Sequence, residues 1–161
     1  MNIKDIKIFL EKYYSELSNL DDLSEIILTI DENFKNHKIS LLNLSNNLKI
    51  NDILNYFFDI KIYYNINNNQ NYIIDSLKLQ HKKIKFDIVY IDSNVFSNDI
   101  LNYFLLSNSI SKDNSLFIFK GKNIETVKDL IEMLKLSKYF THIIDLSNSS
   151  IFIKKKNFRM I

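Results

Sequence analysis

The chain has 161 residues, 46% of them hydrophobic and 13% aromatic, which is enough for one domain with a real core and excludes an intrinsically disordered protein. Its 21 basic and 19 acidic residues leave a net charge of +2, so the bulk electrostatic footprint of a nucleic-acid coat is absent. It has no cysteine, which excludes disulfides, thiolate metal sites and a cysteine nucleophile; with one glycine and no proline, the composition has the Asn, Ile, Lys and Tyr bias of an AT-rich genome.

In chain order, Ile3, Ile6, Phe9, Leu10, Tyr13 and Leu17 recur at helical spacing, with Lys and Glu between them. Leu23, Ile26, Ile27, Ile30 and Phe34 predict a second helix. The period then changes. ISLLNL (Ile39 to Leu44) predicts a strand that runs through Ser45-Asn46-Asn47 into a helix carrying Ile50, Ile53, Leu54, Phe57 and Phe58. IKIYYNI (Ile60 to Ile66) predicts the next strand and Asn67-Asn68-Asn69 its loop, with a short helix expected over Tyr72 to Leu79.

FDIVYIDSN, Phe86 to Asn94, predicts a buried strand that delivers a carboxylate, Asp92, at its C-terminal end. Ser97 is the expected N-cap of a helix with Ile100, Leu101, Phe104 and Leu105, and Asp99 is the expected first-turn acid complementing its dipole. Leu116 to Phe119 predicts a strand ending at Lys120-Gly121-Lys122, where Gly121 supplies a turn. Asn123 is the expected cap of a helix with Val127, Leu130, Ile131 and Leu134. Thr141 to Leu146 and Ile151 to Lys154 predict a hairpin around SNSS.

Alternating strands and helices predict an α/β fold: a Rossmann-like, mostly parallel sheet with helices on both faces and a C-terminal antiparallel hairpin. One domain is expected over 1–161, divided into a helical segment (1–36), an α/β core (37–156) and a tail (157–161). The N-terminus is amphipathic and acid-containing, unlike a signal peptide, and no apolar run approaches the roughly 18–20 residues of a membrane span. An intracellular, cytoplasmic protein is the expectation. His37, His81 and His142 lack ligand spacing, so no metal is expected.

This order of elements resembles the class I S-adenosylmethionine-dependent methyltransferases, best over Phe86 to Lys156. FDIVYIDSN stands where such families have FDxIYIDG, and SISKDNSLFIFKG where they have an lLKpGGxlvik strand entry. LFIFKGKNIETVKDLIEMLKLSKYFTHIIDLSNSSIFIKKK is similar to the end of the RNA ribose 2′-O-methyltransferases. Their Lys–Asp–Lys–Glu set lowers the pKa of a ribose hydroxyl and orients it. The resemblance places Asp92 on its Asp, Lys120 on its second Lys, and Lys38 (or Lys35) on its first Lys. The closing Glu falls on Ser150.

The cofactor positions depart from the pattern. The family's glycine loop after the first strand is LSNNLKI here, the ribose-binding acid is replaced by Asn65 or Asn67, and Ser93 stands where Gly is frequent. Ser45, Asn46, Asn65, Asp92 and Ser93 are therefore remnant cofactor positions, and Asp92, Lys120 and Lys38 vestigial catalytic ones. The departures imply a protein that binds no cofactor and acts as a stimulatory subunit. The comparison in kind is the non-catalytic small subunit of poxvirus-type mRNA capping enzymes, which works beside a larger catalytic partner. RNA contact is expected through Lys154, Lys155, Lys156 and Arg159. The alternative is an active S-adenosylmethionine-dependent RNA 2′-O-methyltransferase with a divergent cofactor loop. A phosphoacceptor receiver domain has Asp92 in its favour but lacks the acidic pair after the first strand.

Overall fold

A computed structural model describes residues 1–65 and 72–155, with the side chains at 62, 63, 72–74, 76 and 95–97 left aside. Asn67, Lys156, Arg159 and the tail 157–161 lie outside the described residues.

Two helices come first, α1 (Ile3–Tyr13) and α2 (Leu20–Phe34). Asn2 starts α1 by accepting the Lys4 N–H on its side chain at 2.9 Å. The chain leaves α1 at Tyr14 (φ −136°, ψ 31°), earlier than the spacing predicts, although Leu17 still packs on the core. There follow β1 (Ile39–Leu44), α3 (Lys49–Phe57), β2 (Ile60–Asn65), α4 (Tyr72–His81) and β3 (Phe86–Asp92). The remainder is α5 (Ser93–Phe96), a 3-10 turn (Ser97–Asp99), α6 (Ile100–Ser109), β4 (Ser111–Lys120), α7 (Glu125–Leu136), β5 (Phe140–Asp145) and β6 (Ser149–Lys154).

The six strands form one sheet in the order β2-β1-β3-β4-β6-β5. β1, β2, β3 and β4 pair in parallel, and β6 runs antiparallel to both β4 and β5. Among the described residues this is the doubly-wound order 3-2-1-4-5-6 without its outermost strand beyond β2, closed at the other edge by the hairpin. The sheet is covered on both sides, which is why β1 is buried at every position and reads as an apolar run, not an alternating one. Leu41, Ile88, Tyr90, Ile118 and Ile151 face α1, α2 and α3, while Leu42, Val89, Ile91, Phe117, Phe119 and Phe152 face α4, α6 and α7.

Three local expectations change. Ser97 does not cap a helix: the chain is already helical from Ser93, and Asp99 holds the N-cap position of α6, accepting from Asn102 Nδ2 at 3.1 Å. Asn123 does not cap α7; it donates to the Ser147 carbonyl at 3.4 Å, and Ile124 precedes the helix without a side-chain cap. The strand expected from Leu116 starts earlier, with Lys112-Asp113-Asn114 inside it. The strand begins at Ser111 opposite Phe86 and resumes with Leu116 opposite Ile88, so residues 112–114 bulge, with Asn114 at φ 64°.

Among the described residues no helix is long and apolar enough to cross a membrane, and no group of three or more His, Asp or Glu is placed to hold a metal ion.

Candidate functional site

A doubly-wound sheet binds ligands outside the carboxyl ends of its strands, where successive connections leave in opposite directions. That point lies between β1 and β3. From β1 the chain crosses to β2 on one side, and then returns past β1 to β3 on the other.

On the β3 side, register sets Asp92 opposite Lys120, and Lys120 opposite Ser149. The period of two puts Tyr90, Asp92 and Lys120 on one face. Lys120 Nζ lies 3.5 Å from Asp92 Oδ2, in a pair largely shielded from water. Asp92 Oδ1 accepts the Asn94 backbone N–H and its Nδ2, each at 3.2 Å, so the carboxylate also closes the turn into α5. Below it, burial pushes the Tyr90 hydroxyl up, reinforced by the charges of Asp92 and Asp22, and it stays protonated.

A cavity of about 240 Å³ opens over this face, lined by Glu16, Asn19, Asp22, Asn47, Tyr90, Lys120 and Ser149 among others. Its far wall is the α1–α2 connection, joined to α3 by the ion pair of Glu16 with Lys49. Hydrogen bonding to that ammonium holds the Glu16 carboxyl below its ordinary value.

On the β1 side the crevice is filled by an amide network. Buried Asn43 donates through Nδ2 to Asn51 Oδ1 at 3.1 Å and to the Asn47 carbonyl at 3.3 Å. Buried Ser45 donates to Asn43 Oδ1 at 2.7 Å, and Asn51 Nδ2 reaches Asn65 Oδ1, at the end of β2, at 2.9 Å. Asn47 turns the chain into α3 by accepting the Lys49 N–H at 3.0 Å. Asn46 stands exposed at the bend. Ser93 Oγ is buried without a hydrogen-bond partner among the described residues.

The structure thus brings together Asp92, Lys120 and Ser93, and links Ser45 with Asn65 through Asn43 and Asn51. It does not bring Lys38 to them. Lys38 precedes Ile39, at the opposite end of β1, roughly 20 Å away by the rise of six strand residues. Ser150, where the closing Glu of the resemblance falls, lies opposite Phe119 on the other face and donates to Asp145 Oδ1 at 2.7 Å; Ser149 is the residue beside Lys120. Lys154 is also corrected: its side chain is fully buried and donates to the carbonyls of Asn108 (2.7 Å) and Ser111 (3.2 Å) and to Ser111 Oγ (3.0 Å), so it is not presented to an RNA. Lys155 is exposed. Sequence reasoning missed Tyr90, Asp22, Asn43, Asn51 and Ser149.

No family model matches the chain, and no curated protein matches it. Solved structures do. The O-methyltransferase TomG from Streptomyces achromogenes, in complex with SAM, aligns over 96% of this chain and 89% of its own, at 10% identity and TM-score 0.60. A methyltransferase from Geobacter sulfurreducens aligns over 95% and 88%, at 9% identity and TM-score 0.58. The MycE methyltransferase from the mycinamycin biosynthetic pathway aligns over 87% of this chain, which spans only 49% of MycE, at 17% identity and TM-score 0.56. The fold is the Rossmann-like methyltransferase fold. At these identities the likeness concerns the fold alone.

On a methyltransferase fold the β1 crevice is where S-adenosylmethionine is expected. Here the loop has no glycine to let a ligand approach the backbone, and Ser45 is held under its own hydrogen bonds. At the end of β2 an amide already engaged by Asn51 stands where the resemblance requires an acid. Among the described residues Ser93 Oγ is buried without a hydrogen-bond partner. These residues do not fit that cofactor.

Proposed function

We propose that this chain is a methyltransferase-fold protein without turnover of its own, acting as a binding and stimulatory subunit beside a larger catalytic partner, with RNA modification or mRNA capping as its setting. The observation that carries the reading is the Ser45–Asn43–Asn51–Asn65 network, which uses the polar groups of the crevice on one another. A satisfied polar network is stiff, and opening it strands buried amides. Stimulation then comes from differential affinity: a surface that binds the partner's active conformation more tightly shifts it toward that state. Tyr13, Tyr56 and Leu136, all exposed, are apolar groups available for such a contact.

Calorimetric titration of the purified protein with S-adenosylmethionine tests this. The expected result is no heat of binding up to about millimolar ligand; a Kd of about a micromolar, a gain of ~8 kcal/mol, overturns it.

A second reading is an S-adenosylmethionine-dependent methyltransferase with a divergent loop, and the Asp92–Lys120 pair beside the 240 Å³ cavity favours it. Lys120 would then stabilise a developing oxyanion on an acceptor hydroxyl while Asp92 held the ammonium in place. The same titration separates the two readings.

A further inference from the structure

The opposite edge of the sheet carries a feature that neither reading uses. At the N-terminal ends of the parallel strands, a cleft of about 240 Å³ is lined by Lys38, Lys61, Lys83, Lys85 and Lys112, and by a single carboxylate, Asp87. The whole chain balances 21 basic residues against 19 acidic ones, so five lysines against one acid is a marked local segregation of charge. No sequence run produces it. Lys38 enters β1, Lys61 lies on β2, Lys83 and Lys85 on the α4–β3 connection, and Lys112 in the bulge of β4; the topology brings them together.

The one acid is already occupied. Asp87 Oδ2 accepts the backbone N–H of Ser40 at 2.9 Å and its hydroxyl at 2.7 Å, and both carboxylate oxygens receive Lys112 Nζ at 2.9 Å. Lys85 donates to the Ser109 carbonyl at the end of α6. Lys83, left-handed at φ 56° in the turn after α4, lies at the negative end of that helix, so helix dipoles account for these two. They do not account for Lys38 and Lys61, which belong to neighbouring strands. Among the described residues Lys38, Lys61 and Lys83 have no carboxylate within 4.0 Å.

Mobile ammonium groups converging on a concave surface focus a positive potential that a compact polyanion relieves best. A cleft of this volume has room for a few linked phosphates, and its described lining residues include no aromatic ring for a base to stack on. We propose that it is a binding site for a linked-phosphate group, either free polyphosphate or the phosphorylated 5′ end of a nucleic acid.

The test is calorimetry of the full chain with tripolyphosphate at about 50 mM and about 200 mM salt. Binding that weakens with salt is expected. The triple variant Lys38→Gln, Lys61→Gln, Lys83→Gln should lose at least about tenfold in affinity. Lys4→Gln with Lys128→Gln, two exposed lysines elsewhere, should lose none, and thermal melts of both variants check the fold. No binding by the wild type, or an equal loss in the control pair, overturns the proposal. A second arm compares 5′-triphosphorylated with 5′-hydroxyl RNA of one sequence. Preference for the triphosphate assigns the site to nucleic-acid ends, and binding of tripolyphosphate with no binding of either RNA assigns it to free polyphosphate. Equal tight binding of both RNAs shows that backbone phosphates suffice and overturns the linked-phosphate assignment. The outcome is independent of S-adenosylmethionine binding, which concerns the other edge.

Discussion

Asp22 of α2 and Asn148 of the β5–β6 turn are 126 positions apart and joined directly: Asp22 Oδ2 accepts the Asn148 N–H at 2.8 Å. Its Oδ1 accepts the Ser147 N–H at 3.1 Å and the Ser147 hydroxyl at 2.7 Å, so one buried carboxylate satisfies three donors of the hairpin turn. Hydrogen bonds to a charged group contribute roughly 1.5–3 kcal/mol, and truncation also strands the donors. Asp22→Ala should therefore destabilise the protein by about 3 kcal/mol in urea unfolding. A loss below about 0.5 kcal/mol, the level of an ordinary surface substitution, would show that the turn needs no clasp.

Gly121 follows Lys120 at φ +86° and donates its N–H to the Asn148 carbonyl at 2.7 Å. A Cβ there would stand 3.3 Å from the Asn94 side chain, which is exposed and can yield, so the cost lies in the backbone conformation. Gly121→Ala should cost about 1–2 kcal/mol, and Gly121→Asn less, because Asn tolerates the left-handed region. Equal stability of wild type and Ala variant, by thermal unfolding, would contradict this.

The architecture was legible because both faces of the central strands are covered. β1 and β3 therefore read as apolar runs that stop at polar residues, and the helices between them show their own period. Asp92 and Lys120 were legible for the same reason, since each ends such a run. Lys38 was misplaced because adjacency to a strand does not say which end faces the site. Tyr90 and Ser149 join the site through alternation and register, Asp22 through a contact across most of the chain. Register and long-range contact leave no mark in local sequence, whereas the spacing of two between Tyr90 and Asp92 does. Lys154 did leave one: it follows Phe152 at a spacing of two, and that period, not the charge run KKK, decides where its side chain goes.

Asp145 is predicted to make the protein acid-sensitive. Burial alone would raise its pKa, but hydrogen bonds from Ser150 and Lys135 and the nearby His142 bring it down to about 2. A carboxyl with a lowered folded pKa contributes stability above its unfolded value, and that contribution is lost as pH falls toward the folded one. The shift from 3.8 to about 2 is nominally ~2 kcal/mol, which solvent around this partly exposed side chain reduces to about 1 kcal/mol. Asp145→Asn should lose that amount at neutral pH and only a small part of it near pH 2. A deficit that stays constant between about pH 5 and pH 2 would contradict the assignment.

Lys154 carries the opposite pH signature. Burial pushes its pKa down to about 8 from 10.5, with the neighbouring Lys85 acting in the same direction and Asp113 against it. Between these values the unfolded chain binds more protons than the folded one, so the contribution of Lys154 makes stability rise with pH across that window. Below about pH 8 both states are protonated and the folded state bears the cost of the buried charge, ~3 kcal/mol for a shift of this size. Lys154→Met removes the titration and leaves the Asn108 and Ser111 carbonyls without this donor. Urea unfolding of both proteins at several pH values from about 7 to 10 isolates the effect, because the other lysines and tyrosines are common to the pair. The wild type should gain stability relative to the variant as pH rises. A difference that is flat, or that falls, would mean that the three oxygen acceptors hold the ammonium charged throughout.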